Sequence, residues 1–314
     1  MGEQATKIGK KLEGFGEVFL AKLGWIELAR DQEIKCTRAS HQKTTHGIDL
    51  LCKFDNPYIA TQQGIIVECK NRQMKSITKA NIEDWVKELI NNIECSQSAP
   101  ELSEVDLTNT TLNTGLLLIH ANDCFDSNKF YSYLKDLHIP NRRNPINIFI
   151  AGNDRINLWT SLFAKIQNSY NRDFTFLYPS INGFSKSNQK TLTIDGMYSR
   201  YLFAQNTGVT YKRRMNSDYE IPFEQNIMFF LDEITVENFK YAWSMFKHYQ
   251  LQGADKYIFV FYPRKKGDVE FVKEKFKTTL RSCNMPIVES EIEKIEFDFI
   301  DNRSLSPIEV GGSL

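Results

Sequence analysis

Two short apolar segments of this sequence carry charged residues where a buried strand would normally exclude them. The first, residues 46–51, contains Asp49, and the second, residues 64–70, ends in Glu68, a cysteine and Lys70. Both segments have the length and the flanking turn-forming residues of buried strands. Because an isolated charge is very costly in an apolar environment, we expect the three charged side chains to meet one another, a metal ion, or both.

The spacing of these charged residues indicates how they would meet. Side chains alternate along a strand, so Glu68 and Lys70 share one face, and Asp49 lies beside Glu68 if the two segments pair as an antiparallel hairpin. Two adjacent carboxylates repel each other, and a hard divalent cation such as Mg²⁺ or Mn²⁺ relieves that repulsion. With a lysine to orient water or neutralise phosphate charge, the set suits metal-assisted hydrolysis of a phosphodiester. The inert alternative is a salt-bridged end of a hairpin with no chemistry.

The neighbouring segments predict helices and one further strand. Residues 7–23 and 80–95 have apolar residues at helical spacing, and residues 115–120 form a third apolar strand. Two weaker strands are expected at residues 25–28 and 33–37. The first helix carries Glu17 on the flank of its apolar stripe, where the alternative to a functional role is a solvated helix face. The predicted order is therefore helix, weak strands, aspartate strand, glutamate–lysine strand, helix and strand.

This order, together with the charged residues, resembles the PD-(D/E)XK nuclease superfamily, which has the restriction-endonuclease-like fold. The matching residues are Glu17, Asp49, and Glu68 with Lys70, in local sequences similar to those of the Mrr-type and Holliday-junction-resolvase-type branches. The resemblance implies an α/β fold with an αβββαβ core, a mixed sheet flanked by helices. It also implies that Asp49 and Glu68 are metal ligands, Lys70 the catalytic lysine and Glu17 an additional acidic residue. Ile48 stands where the family pattern has a proline.

The distribution of charge favours a nucleic-acid partner, although the whole chain has 39 basic and 39 acidic residues and no net charge. From residue 35 to residue 79 there are eight lysines and arginines against three acidic residues, two of which are the proposed metal ligands. Such a locally basic face suits a phosphate backbone. The residues predicted to contact nucleic acid are Lys43, His46, Arg72, Lys75 and Lys79. For His46 the alternative is a turn histidine without a role.

Length and composition predict two domains and no membrane segment. The 314 residues, 41% of them hydrophobic, are expected to form a nuclease domain at 1–172, an α/β or α+β accessory domain at 173–303, and a flexible tail at 304–314. Within the accessory domain the sequence predicts strands at 174–180, 197–205, 226–231 and 287–300, a loop at 181–190 and a helix from about 268 to 282. Acidic residues are in excess from residue 289 to residue 301. No apolar run reaches the length of a membrane span, and a cytoplasmic location is expected. The six cysteines are scattered without a Cys-x-x-Cys pair, which favours buried free thiols over a zinc site.

The leading functional hypothesis is a DNA endonuclease whose second domain serves dimerisation, specificity or control. A homodimer is expected because cutting both strands usually needs two active sites. The family resemblance also implies an anti-phage defence or restriction effector, of a type often held inactive by a partner such as an ATPase or a sensor protein. Two alternatives stay open at this point: an RNA-cleaving nuclease of the same fold, and a non-catalytic binding module that retains the fold.

Overall fold

The computed structural model describes residues 19–139, 142, 144–170, 173–180, 183–214, 217–283 and 287–303. Glu17 and the predicted tail at 304–314 lie outside these residues. The described chain divides between Asn157 and Leu158 into two compact units. The domain boundary predicted at residue 172 falls a short distance later in the sequence, between the helix and the strand that flank it.

The first unit contains a five-stranded mixed sheet whose strands are arranged in sequence order. The first three strands pair antiparallel, and the last two continue the sheet in parallel. The strands are β1 (Ile26–Lys35), β2 (Thr45–Asp55), β3 (Gln62–Arg72), β4 (Thr110–Ala121) and β5 (Asn147–Ala151). The centre of β3 is fully buried at Ile65, Ile66 and Val67, as expected of a strand covered on both faces.

Helix α1 (Lys79–Ser96) forms the crossover that a parallel β3–β4 pair requires. It begins after Thr78, whose side-chain oxygen accepts a hydrogen bond from the backbone N–H of Asn81 at 3.3 Å, an N-cap that satisfies one helix donor. Its apolar residues pack against β4, where Gly115 leaves the space that the Leu89 side chain occupies. The later helices are α2 (Ser127–Lys135) and α3 (Asn153–Ser169), the second of which contains the boundary between the units.

The second unit contains a six-stranded sheet of order β11-β10-β9-β8-β6-β7. Its strands are β6 (Phe174–Ser180), β7 (Gly183–Gln189), β8 (Tyr201–Arg214), β9 (Ser217–Phe230), β10 (Lys256–Phe261) and β11 (Ile295–Phe299). Its helices are α4 (Ile194–Tyr198), α5 (Val236–His248), α6 (Asp268–Ser282) and α7 (Glu289–Glu293). Aromatic side chains dominate the core, and Phe239, Trp243 and Phe246 of α5 are fully buried.

The structure confirms the predicted α/β class and the βββαβ part of the core, and it differs from the predicted elements at several places. The strand predicted at 287–300 is the short helix α7 followed by β11, and the strand predicted from residue 197 begins at Tyr201, after α4. The two weak strands are one strand, β1, which bends at a bulge between Glu27 and Ala29. Residues 181–190, predicted to be a loop, include β7. Strands β8 and β9 extend well beyond the apolar segments that predicted them. Of the first predicted helix, residues 19–22 are helical in the described part. Among the described residues, no helix has both the length and the apolarity to cross a membrane.

Candidate active site

The antiparallel pairing of β2 and β3 brings Asp49 and Glu68 together. The register pairs Leu50 with Val67, so the next residues along the ladder are Asp49 and Glu68. The Asp49 carboxylate accepts a hydrogen bond from the backbone N–H of Cys69 at 2.7 Å. Glu68 is almost completely buried, with 3% of its surface exposed, whereas Asp49 is half-buried. The predicted hairpin therefore places both carboxyl groups next to each other, just beyond the last pair of the β2–β3 ladder.

Lys70 lies on the same face of β3 as Glu68 and pairs with it. The Lys70 ammonium donates a hydrogen bond to Glu68 Oε2 at 3.0 Å, and 16% of the lysine side chain is exposed. Burial alone would lower the pKa of Lys70, but the charges of Glu68 and Asp49 outweigh it and raise that pKa. The lysine is therefore a cation at neutral pH and retains an exposed edge.

The second oxygen of Glu68 is held by a residue of α1. Asn92 is fully buried, and its amide Nδ2 donates to Glu68 Oε1 at 2.7 Å and to the backbone carbonyl of Gly47 at 2.8 Å. One amide thus fixes the carboxyl group of β3 and the backbone of β2 just before Asp49. Because both Glu68 oxygens have donors, the orientation of this carboxyl group is set by the protein.

Burial and mutual repulsion disfavour the ionised form of both carboxyl groups. Burial, followed by the charge of Asp49, raises the pKa of Glu68 to about 7, against the opposing effect of Lys70. Burial also raises the pKa of Asp49, and the Cys69 hydrogen bond and Lys70 oppose that rise. Two close carboxyl groups that resist ionisation together are the electrostatic pattern that a bound cation relieves.

A third carboxylate, Glu88, lies on α1 one turn before Asn92. It accepts a hydrogen bond from the Lys43 ammonium at 2.7 Å, and 38% of its side chain is exposed. Burial acts to raise the pKa of Glu88, but Lys43 and then Lys70 outweigh it, so that the pKa is lowered. Glu88 is therefore ionised at neutral pH, and its charge acts on Asp49, Glu68 and Lys70.

The donor atoms present fit a hard divalent cation. Asp49 and Glu68 supply carboxylate oxygens, the ligand type that Mg²⁺ and Mn²⁺ prefer. The Asp49 carboxylate has one oxygen bonded to the Cys69 amide in this arrangement, which leaves its other oxygen available. The raised pKa of Glu68 gives the site an electrostatic reason to bind a cation. Asp49 and Glu68 are thus the residues suited to hold the metal.

The five residues predicted to contact nucleic acid are found in different surroundings. Lys43 is paired with Glu88. His46 is 2% exposed and has both ring nitrogens buried, so in this structure neither nitrogen is presented to a phosphate, and we do not carry its predicted contact forward. Arg72 is exposed at the end of β3, and Lys75 is exposed just after that strand. Lys79 is half-buried at the start of α1, where its ammonium lies 3.8 Å from the Glu83 carboxylate.

Asn92 and Glu88 were not predicted from the sequence, and Glu17 lies outside the described residues. A signal for Asn92 was present, because an asparagine at a buried position of an apolar helix must find a hydrogen-bond partner. The helical period of Ile82, Val86, Leu89 and Ile93 places residue 92 beside that stripe. Its partner, Glu68, is 24 residues away in sequence, so only the fold identifies it.

Comparison with known protein families agrees with this geometry. Residues 1–155 match the family model described as the GAPS4 protein PD-(D/E)XK nuclease domain. Among curated proteins, none has a sequence that matches this chain. The matched segment includes β1 to β5, α1 and all the residues of the candidate site. The match confirms the resemblance seen in the sequence, and the amino-terminal part of this chain, residues 1–155, is a nuclease domain of the PD-(D/E)XK superfamily.

Proposed function

We propose that this protein is a divalent-metal-dependent endonuclease that hydrolyses DNA, with Asp49, Glu68 and Lys70 as its catalytic residues. The observation that carries the proposal is the pair of close carboxyl groups on the neighbouring strands β2 and β3, with the Lys70 ammonium 3.0 Å from one of them. Burial raises the pKa of both Asp49 and Glu68, and the charge of Asp49 adds to the rise at Glu68. Titratable groups perturbed by burial and by a neighbouring like charge are typical of functional sites, which favours chemistry over simple ion pairing.

Each side chain has a distinct task in this proposal. Asp49 and Glu68 hold the cation, which supplies Lewis-acid polarisation of the phosphate and lowers the pKa of a water bound to it. Lys70, a cation with an exposed edge, neutralises charge that develops on the phosphate or orients the attacking water. Asn92 keeps the Glu68 carboxyl group in place. Glu17, implied by the family resemblance, is proposed as an additional acidic residue.

Arg72, Lys75 and Lys79 are proposed to contact the nucleic-acid backbone. They lie within the segment that follows Lys70 in the chain, and Arg72 and Lys75 are exposed. Contacts of lysine and arginine with phosphates position a substrate without reading its sequence. Lys43 can join them only if its ion pair with Glu88 opens.

The test is a cleavage assay with Mg²⁺ or Mn²⁺ on plasmid DNA, linear DNA, single strands and RNA. We expect wild-type protein to cut DNA and Lys70→Ala and Asp49→Ala to lose at least about a hundredfold in rate, the scale of a lost electrostatic or acid–base group. The matched control is Lys35→Ala, which alters a second Glu-x-Lys sequence, Glu33 to Lys35, on the exposed face of β1.

The outcomes of this assay separate the alternatives. Cleavage that persists in both site variants would refute the site. Cleavage of RNA but not DNA would favour the RNA-cleaving alternative, which the chemistry at phosphorus allows. Binding of nucleic acid without cleavage by any protein, with either metal, would favour a binding module.

The biological setting is proposed from the family description and from the absence of a membrane-spanning helix among the described residues. We propose a cytoplasmic anti-phage defence or restriction effector that acts as a homodimer. Control by a partner protein, such as an ATPase or a sensor, is part of this proposal. Activity of the purified chain alone would show that no partner is required for chemistry.

A further inference from the structure

Four potential metal ligands that are dispersed in the sequence meet in the first unit. They are Cys36, just after β1; His41, in the 3-10 turn Ala39–His41; His46, at the start of β2; and Cys95, near the end of α1. One ligand atom from each residue lies within 4.8 Å of every other. The cluster is separate from the carboxylate pair and consists of sulfur and nitrogen donors.

The measured separations suit a tetrahedral ion. The two sulfurs are 3.9 Å apart, and the Nδ1 atom of His41 lies 3.6 Å from Cys36 Sγ and 3.4 Å from Cys95 Sγ. Zinc bonds of about 2.3 Å to sulfur and about 2.0–2.1 Å to nitrogen, in a tetrahedron, hold ligand atoms about 3.3–3.8 Å apart. The cluster therefore needs little rearrangement to close around one ion.

The surroundings of His46 point to a missing partner. Its side chain is buried, and neither ring nitrogen has a hydrogen-bond partner. Its ring meets that of His41 edge to face, with centroids 5.4 Å apart. Buried polar atoms are nearly always satisfied in native proteins, and a metal ion shared with the two nearby thiols would satisfy a nitrogen of His46.

The second nitrogen of His41 is arranged as in known zinc sites. Its Nε2 lies 3.0 Å from the Glu94 carboxylate, which also accepts from Arg38 at 3.3 Å and lies 3.5 Å from Arg142. Metal-bound histidines usually donate their other N–H to a carboxylate or carbonyl, which fixes the ring and the tautomer. With Nε2 directed at Glu94, His41 presents Nδ1, the atom nearest the two sulfurs, as its metal-binding nitrogen.

We propose that Cys36, His41, His46 and Cys95 bind one structural Zn²⁺ ion. Two thiolates balance the charge of the ion, and a closed set of four protein ligands is typical of a structural zinc site. Binding releases the two thiol protons, including the one that Cys36 donates to the carbonyl of Arg38 at 3.2 Å. Soft ligands distinguish this site from the carboxylate pair, which suits Mg²⁺ or Mn²⁺.

The site would link the elements that carry the proposed active site. His46 lies three residues before Asp49 on β2, and Cys95 lies three residues after Asn92 on α1. A zinc ion bound to both would restrain the approach of α1 to the start of β2, which the Asn92 bond to Gly47 also spans. The inference does not depend on nuclease activity, because metal content and stability report on it directly.

The first test is the metal content of tag-free protein by mass spectrometry after exposure to Zn²⁺ and removal of excess ion. We expect one Zn²⁺ per chain in the wild type, and at least a tenfold lower content in Cys36→Ser and Cys95→Ser. The matched control is Cys52→Ser, a buried thiol of β2 that is not in the cluster and should retain the metal. Equal zinc in wild type and both cluster variants would overturn the proposal.

A second measurement uses the wild type alone and so does not depend on whether a variant folds. Replacement of zinc by Co²⁺ should give the absorption bands of tetrahedral cobalt bound to thiolate, and a zinc chelator should lower the melting temperature. Absence of a thiolate–cobalt band in reduced protein would contradict the site. So would a Cys36–Cys95 disulfide that persists in protein purified under reducing conditions.

Discussion

At the scale of single residues, Glu68 is the centre of the proposed active site. Its carboxyl group is buried, contacts Lys70 and Asn92, and lies beside Asp49. Burial and the charge of Asp49 raise its pKa from 4.5 to about 7. Between these two values the unfolded chain has lost the proton that the folded chain retains, so this group lowers the stability of the metal-free protein as the pH rises through that window.

The raised pKa predicts a pH-dependent metal affinity. A proton on Glu68 competes with the cation, so the affinity for Mg²⁺ should fall by about tenfold for each pH unit below 7. Calorimetric titration at about pH 6 and pH 8 measures this change. The shift in melting temperature caused by Mg²⁺ should likewise be larger at the higher pH. An affinity that is the same at both values would contradict the proposed ligand role of Glu68.

Asn92 offers a second prediction at this scale. Asn92→Ala removes the donor to Glu68 Oε1 and leaves a buried carboxyl oxygen unpaired, which should raise the pKa of Glu68 further. We expect the cleavage rate at pH 7 to fall by at least about tenfold and to recover partly at higher pH. The readout is the pH–rate profile.

Asn91→Ala is the matched control for this experiment. Asn91 is also buried in α1, and it lines a different cleft, beside Glu94. The Asn91→Ala variant should have the same pH–rate profile as the wild type. An equal loss of rate in both variants at every pH would indicate a general weakening of α1 and not a role of Asn92 in orienting Glu68.

The residues found from sequence alone were those whose chemistry conflicts with their local setting. Asp49, Glu68 and Lys70 stood out because charges do not belong in apolar strands. Glu88 and Asn92 did not, because polar residues are common on helices and their partners are distant in sequence. The Cys36, Cys95, His41 and His46 cluster was missed for the same reason: its ligands come from four separate elements, and no short motif joins them.

At the scale of elements, α1 supplies Glu88, Asn92 and Cys95. The position of this helix on the sheet should therefore matter to both proposed sites as much as the side chains themselves. Gly115 on β4 lies under this helix, and a β-carbon there would come within 2.8 Å of Leu89 and 3.0 Å of Ile93. Real β-carbons do not approach other atoms so closely. The helix therefore packs against β4 with no space to spare.

Gly115→Ala should consequently destabilise the protein by overpacking. We expect the free energy of unfolding to fall by about 1–3 kcal/mol, measured by denaturant titration. The control is Gly47→Ala on β2, where a β-carbon would meet nothing within 4 Å. If the two variants are equally stable, α1 can shift away from β4 at little cost and does not rigidly position Asn92.

Helices and strands could be predicted from the sequence where one face of the element, or the whole segment, is apolar. Strand β6 and helix α6 begin and end at the predicted residues, Phe174–Ser180 and Asp268–Ser282. The outer part of the β8–β9 hairpin could not be predicted, because it is rich in polar residues from Asn206 to Gln225 and is defined by backbone pairing between the two strands. The polar sequence of β7 conceals a strand for the same reason.

At the scale of the whole molecule, the acidic residues near the end of the chain are largely balanced within the second unit. Glu289 pairs with Arg281, Glu296 with Lys256, and Asp298 with Lys165. Sequence alone showed an acid-rich segment, but it could not show that these three acids have basic neighbours. Their charges are therefore partly compensated within the unit, which weakens the case for a cationic partner at this segment.

The proposed homodimer predicts how a plasmid is cut. Each chain has one proposed site, and a two-fold pair of sites can address both antiparallel strands in one encounter. Linear product should then appear together with nicked product from the start of the reaction. A monomer that leaves after each cut would accumulate nicked circles before any linear DNA forms. Gel analysis of an early time course distinguishes the two patterns.

Subunit mixing makes this last prediction sharper. Wild-type protein mixed with an excess of Lys70→Ala should form dimers with one active site, so the ratio of nicked to linear product should rise. Mixing with an equal excess of Lys35→Ala should leave the ratio unchanged, because both sites in those dimers stay active. If Lys70→Ala only slows the reaction and leaves the product ratio constant, the cutting unit is a single chain. Sedimentation of the same mixtures reports mass directly and shows whether a dimer is present. A dimer found together with a constant product ratio would be unrelated to cleavage.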